Sequence, residues 1–131
     1  MYFFRINFIF YLFVSTLFSQ SAEAFFDQGN QQLSSGKLDD AEQLFNKAMQ
    51  MDPSFAPAMQ ALSKLSLHRG DLKKANEFSI KAVQADEDFR DWSLQISKIS
   101  EQIQNGNRNV QQGLFNDAIR SYESILKDHP Y

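Results

Sequence analysis

The chain of 131 residues has two histidines, His68 and His129, and no cysteine. Imidazole and thiol side chains supply most metal ligands and most bases and nucleophiles at neutral pH. Without cysteine there is no thiol nucleophile, no disulfide framework and no Cys-based zinc site. Serine is plentiful, yet no Gly-x-Ser-x-Gly elbow occurs, and histidine is too scarce for a triad. No Gly-x-x-x-x-Gly-Lys loop is present to cradle a phosphate. Asp86-Glu87-Asp88 has the carboxylate density of a calcium site but lacks the Asp-x-Asp-x-Asp-Gly loop with its trailing Glu. It reads instead as an acidic helix start. His68 precedes Arg69-Gly70 and reads as a cation at a helix C-terminus, with contact to a ligand as its second role. His129, before Pro130, reads as a solvated helix end. The expectation is a protein that is not an enzyme and uses no cofactor or metal. Thirteen Lys and Arg against sixteen Asp and Glu give a net charge of -3. That charge offers no electrostatic footprint for nucleic acid.

The first eighteen residues differ from the rest. Phe3, Phe4, Phe8, Phe10, Phe13 and Phe18 fall there, and Arg5 is the sole charge. An apolar run follows Arg5, and then the small and polar residues Ser19-Gln20-Ser21-Ala22-Glu23-Ala24. A basic start, an apolar middle and a small-residue exit are the parts of a secretory signal in their working order. Residues 1–24 are therefore expected to be a signal peptide cleaved after Ala24, with Ser19-x-Ser21 as a second exit. The protein would then be exported to a periplasm, a secretory lumen or the outside. The alternative is an uncleaved membrane anchor, against which stands the length: the clean run covers about 13 residues where a span needs roughly 20. The membrane enters only through this segment.

The remainder repeats itself. Gly36-Lys37-Leu38-Asp39-Asp40-Ala41 matches Gly70-Asp71-Leu72-Lys73-Lys74-Ala75 at an offset of 34 residues, and Ala48/Ala82, Asp52/Asp86 and Phe55/Phe89 keep that offset. Gly113-Leu114-Phe115-Asn116-Asp117-Ala118 is a third copy, displaced by nine further residues. Each copy reads as two helices. In the first, a helix over residues 22–35 ends at Gly36, whose freedom at positive φ suits the turn, and a second helix runs from Leu38 to Met51. Leu38, Ala41, Leu44, Phe45 and Ala48 form its apolar stripe. Asp52-Pro53 stops it, with Pro53 placed in the first turn of the next helix. Alanines 41, 75 and 118 keep the partner helices close.

A 34-residue helix-turn-helix period carrying Phe25, Gly29, Leu38, Ala41, Phe45, Ala48 and Pro53 resembles the tetratricopeptide repeat. Repeat one is residues 22–55, repeat two 56–89 and repeat three 99–131, within a domain of residues 25–131. Repeat two departs with Ser79 at an aromatic position and Glu87 at the proline position. Repeat three keeps Gly106, Phe115, Ala118, Tyr122 and Pro130 but has Ile125 in place of the second alanine. The resemblance implies an all-α, right-handed superhelical array of about three repeats, because no single hairpin buries both its faces. It further implies a concave groove, lined by the first helix of each repeat, that holds a protein partner as a peptide or a helix. The groove residues so implied are Phe26, Asn30, Gln60, Lys64, His68, Ile103, Asn107 and Gln111, among which Lys64 is the one firm cation. The clamp with which chaperone-binding members grip a C-terminal carboxylate is not built. Its positions here are Phe26, Asn30, Ala61, Ser100 and Gln104, and only Asn30 agrees.

Between repeats two and three, Trp92, Ile96, Ile99, Ile103, Gly106 and Val110 are spaced 4, 3, 4, 3 and 4 residues apart, one apolar seam. The spacing predicts a single helix over 90–112, with residues 90–98 as an inserted extension. A turn at Asn105-Gly106-Asn107 is the alternative. Ile119, Tyr122, Ile125 and Leu126 predict an apolar face on the last helix. A face without cover implies either the front end of a longer, purely structural array or self-association through that helix.

Overall fold

A computed structural model describes residues 21–128. The signal segment therefore lies outside the described residues except for Ser21–Ala24, as do His129, Pro130 and Tyr131. Six α-helices and one 3-10 turn make up the described residues, and there is no strand among them. They are α1 (Ala22–Ser34), α2 (Leu38–Met51), α3 (Ala56–His68), α4 (Leu72–Ala85), the 3-10 turn Glu87–Phe89, α5 (Arg90–Gln111) and α6 (Phe115–Asp128). No helix among the described residues is long and apolar enough to cross a membrane. The chain falls into two compact units divided between Pro53 and Ser54.

The first unit is the hairpin α1–α2. Ser21 caps α1 by accepting from the backbone N–H of Ala24 at 3.2 Å. Ala22, in the first turn, is buried. The chain reverses at Gly36, where φ is 74°, a region that only glycine enters without a Cβ penalty. The stripe expected on α2 is the core: Ala41, Phe45 and Ala48 are fully buried. Phe26 tilts against Phe45 with ring centroids 5.7 Å apart. The ammonium of Lys47 sits 5.9 Å from the ring centre of Phe25.

The second unit pairs α3 with α4, α4 with α5, and α5 with α6. Gly70 and Gly113 repeat the turn of Gly36 at φ 76° and 74°. Met59, Leu62 and Leu65 of α3, Ala75 and Ala82 of α4, Ile96 and Ile99 of α5 and Ala118 of α6 form its core. The seam on α5 runs through Gly106 without a break, and the helix spans 22 residues. Asn105-Gly106-Asn107 is helical, so the turn reading of that tripeptide is set aside. Pro53 differs from expectation. It lies in the bend before α3, and Pro57 occupies the helix's first turn instead. Pro57 there lacks only an N–H that a first helical turn leaves unpaired anyway. The acidic cluster also has a more specific role than expected. Asp86 caps the 3-10 turn by accepting from Asp88 N–H at 2.9 Å, Glu87 pairs with Arg90, and α5 starts after them.

Candidate partner-binding pocket

Glycine inside a helix costs about 1 kcal/mol relative to alanine, so Gly29 and Gly106 require a reason. A Cβ added at Gly29 would lie 2.5 Å from the ring of Phe45, and one at Gly106 would lie 2.5 Å from the ring of Tyr122. In each hairpin an aromatic ring from the second helix packs on bare backbone of the first. The corresponding pair in the middle hairpin is Ser63 and Ser79. Both are fully buried. Two small hydroxyls replace glycine and ring together, and the first turns of α5 come to meet them. The Ser63 hydroxyl donates to the Ala75 carbonyl at 2.6 Å and accepts from Trp92 Nε1 at 2.9 Å. Ser79 Oγ donates to the Asn76 carbonyl at 2.8 Å and lies 3.5 Å from Ser93 Oγ. Ser63 thus ties α3, α4 and α5 at one point and fixes the indole of Trp92.

Trp92 is half-buried. With Lys64, Leu67 and His68 of α3 it lines a pocket of about 410 Å3. The ammonium of Lys64 is 5.3 Å from the centre of the indole ring. Lys64 and His68 stand one turn apart and share a helix face. The pocket therefore has an apolar wall of Leu67 and Trp92 and a cationic edge.

The structure brings together only some of the residues expected to bind a partner. Lys64 and His68 are exposed and line the pocket. Gln60 is half-buried one turn before Lys64 on α3. Phe26 and Asn30 belong to the first unit. Phe26 is engaged with Phe45, and the Asn30 carbonyl accepts from Ser34 Oγ at 2.9 Å. Ile103, Asn107 and Gln111 lie further along α5. Ile103 is half-buried and the other two are exposed. Asn107 Oδ1 accepts from the Tyr122 hydroxyl at 2.7 Å, so that amide also secures the α5–α6 pair. The apolar spacing places Trp92 in the seam of α5, and the structure adds its place in the pocket. Its signal was available: the middle repeat loses its glycine and its aromatic together, and the chain's one tryptophan follows just beyond.

Two carboxyl groups are held below their ordinary range. Hydrogen bonds from its own backbone N–H and from Ser21 lower Glu23. The Lys74 backbone N–H lowers Asp71, which accepts that bond at 3.1 Å as the cap of α4. Neither carboxyl is in the pocket. Among the described residues no cluster of three or more His, Asp or Glu is placed to hold a metal ion.

The model of the tetratricopeptide repeat family matches residues 32–95. That stretch takes in the whole of α2, α3 and α4, the turn glycines Gly36 and Gly70, and the Ser63–Trp92 junction. Its members are generally scaffolds for protein–protein interaction without catalytic activity. The repeat geometry and this match together support a tetratricopeptide repeat protein.

Proposed function

We propose that this chain is an exported scaffold that binds a peptide or a helix of a protein partner, using the pocket beside α3 in its second unit. The observation that carries the reading is the pocket of Lys64, Leu67, His68 and Trp92, an apolar wall with fixed polar groups, which is the form ligand sites take. The match to a family of interaction scaffolds supports it. Lys64→Glu together with Ile103→Asp is expected to abolish capture of a partner from the envelope or secretory fraction while helical content by circular dichroism stays unchanged. Asn30→Ala, tested alone, asks whether the first unit takes part. Capture at full strength by the double variant, still helical, would refute the binding reading.

Export is part of the proposal and rests on Arg5, the apolar run and the small-residue exit. Cleavage at either exit removes the cap Ser21; cleavage after Ala24 also removes the buried Ala22 from α1, whereas cleavage after Ser21, the second exit, keeps it as the first residue. N-terminal sequencing of material recovered outside the cytoplasm reads Phe25 in the first case and Ala22 in the second. A membrane-fixed product starting at Met1 would favour the anchor instead.

One observation favours a second reading, an assembly component. Phe115, Ile119 and Leu126 of α6 are 62%, 52% and 70% exposed. Spaced 4 and 7 residues apart, they form one stripe, and such a stripe suits a neighbour of the same helical kind.

A further inference from the structure

We infer that the pocket selects an acidic–apolar pair in its partner: a glutamate or aspartate side chain at Lys64 and His68, next to an aliphatic side chain against Leu67 and Trp92. This assignment rests on the partner-binding reading above and states its chemistry.

The indole supplies the first half of the argument. Its only hydrogen-bond donor is Nε1–H, and Ser63 already accepts from it inside the protein. Trp92 therefore has no polar group left for a ligand and offers ring surface alone. Leu67 extends that surface along α3. A volume of about 410 Å3 is at the small end of ligand sites. It suits one or two side chains rather than a folded domain.

The cationic edge supplies the second half. Lys64 forms no ion pair with any described residue, and neither does His68. An anion beside the Lys64 ammonium pairs with it directly, and the His68 ring, one turn away on the same helix face, lines the same pocket. The ring fixes the Lys64 ammonium by a cation–π contact. Three N–H donors on that nitrogen leave some for a carboxylate oxygen. The chain as a whole is acidic, at -3, so this edge is a local feature and not part of a general basic surface. The negative end of the α3 dipole opposes an anion here, but its effect is confined to the last turn. Arg69, the residue that closes α3, stands at that end as a cation.

The chain has a single tryptophan, so indole emission reports on this pocket alone. The full chain is titrated with four acetylated hexapeptides free of tryptophan. Three are amidated and carry leucine beside glutamate, glutamine or lysine. The fourth lacks glutamate and ends in leucine with a free carboxylate. The glutamate peptide is expected to shift Trp92 emission saturably. The glutamine peptide should bind about threefold to tenfold more weakly, the range for an exposed to partly desolvated charge pair, and the lysine peptide weaker still. Lys64→Gln, an exposed substitution, should erase the difference between the glutamate and glutamine peptides. Equal binding of those two by the parent protein would overturn the carboxylate assignment while leaving peptide binding intact. Binding of the free-carboxylate peptide alone would overturn the side-chain assignment. No response to any of the four would remove the pocket as a site.

Discussion

Two glycines of the same repeat position should respond differently to the same methyl group. Gly29→Ala gains helix propensity of about 1 kcal/mol but drives a Cβ into the Phe45 ring at 2.5 Å. Phe45 is fully buried and has nowhere to go, and overpacking of this kind costs roughly 1–3 kcal/mol. A net loss of up to about 2 kcal/mol is expected, visible as a lower urea midpoint at unchanged slope. Gly106→Ala meets Tyr122, equally near, but that ring is half-exposed on α6 and can swing outward. Its cost is the Asn107 hydrogen bond, about 1 kcal/mol, which the gain in propensity offsets. Gly106→Ala should therefore leave the midpoint close to that of the parent. Equal losses at the two sites would show that Tyr122 is held as firmly as Phe45. These contacts also explain why the middle repeat has serine at both places. Ser63 without a ring opposite admits Trp92, and the pocket follows from that exchange.

Among the elements, α4 carries a pH-sensitive start. Asp71 accepts from Lys74 N–H as its cap, and this bond holds the carboxyl below its ordinary value. A folded-state value below the unfolded one makes the contribution complete above the unfolded pKa, about 3.9. It is lost as pH falls through the folded value. Asp71→Ala is thus expected to lower the melting temperature at pH 7, and the gap to the parent should shrink as pH falls below about 4. Asp71→Asn keeps an acceptor for the cap and should lose less. A gap independent of pH would mean that the charge of Asp71 contributes nothing beyond its shape. The corresponding place in α2 is Lys37, which makes no cap bond with its side chain. Asp39 and Asp40 in the first turn of α2 favour its dipole, so the two second helices, alike in sequence pattern, are started by different means.

For the molecule as a whole, the question is what meets the stripe on α6. Each large apolar side chain moved from water to a packed interface contributes about 1.5–3 kcal/mol, a sizeable share of a small domain's stability. Phe115, Ile119 and Leu126 all stand largely exposed. Self-association through this stripe is the expected outcome, read as concentration-dependent sedimentation that Ile119→Lys and Leu126→Lys abolish. A monomer at high concentration, indifferent to both changes, would show that the stripe needs no partner.

The period of 34 residues, the helix pairs and the turn glycines were legible in the sequence because they are local. Gly36, Gly70 and Gly113 each sit where a backbone must take positive φ, and no distant residue bears on that. The apolar spacing through Gly106 likewise favours one helix over the turn that Asn105-Gly106-Asn107 also offers, and the helix runs from Arg90 to Gln111, since a seam at intervals of three and four is the helical period. Lys64 and His68 were legible as one face of one helix. Trp92 was not: twenty-eight residues after Lys64 in the chain, it joins the pocket only because Ser63 and Ser79 are both small and buried. The indole then reaches across from α5 to bond the Ser63 hydroxyl. Periodicity states which side of a helix is apolar, but it does not state which neighbour that side meets. The meeting of α3, α4 and α5 at a single serine is a property of packing, and tertiary structure alone decided it.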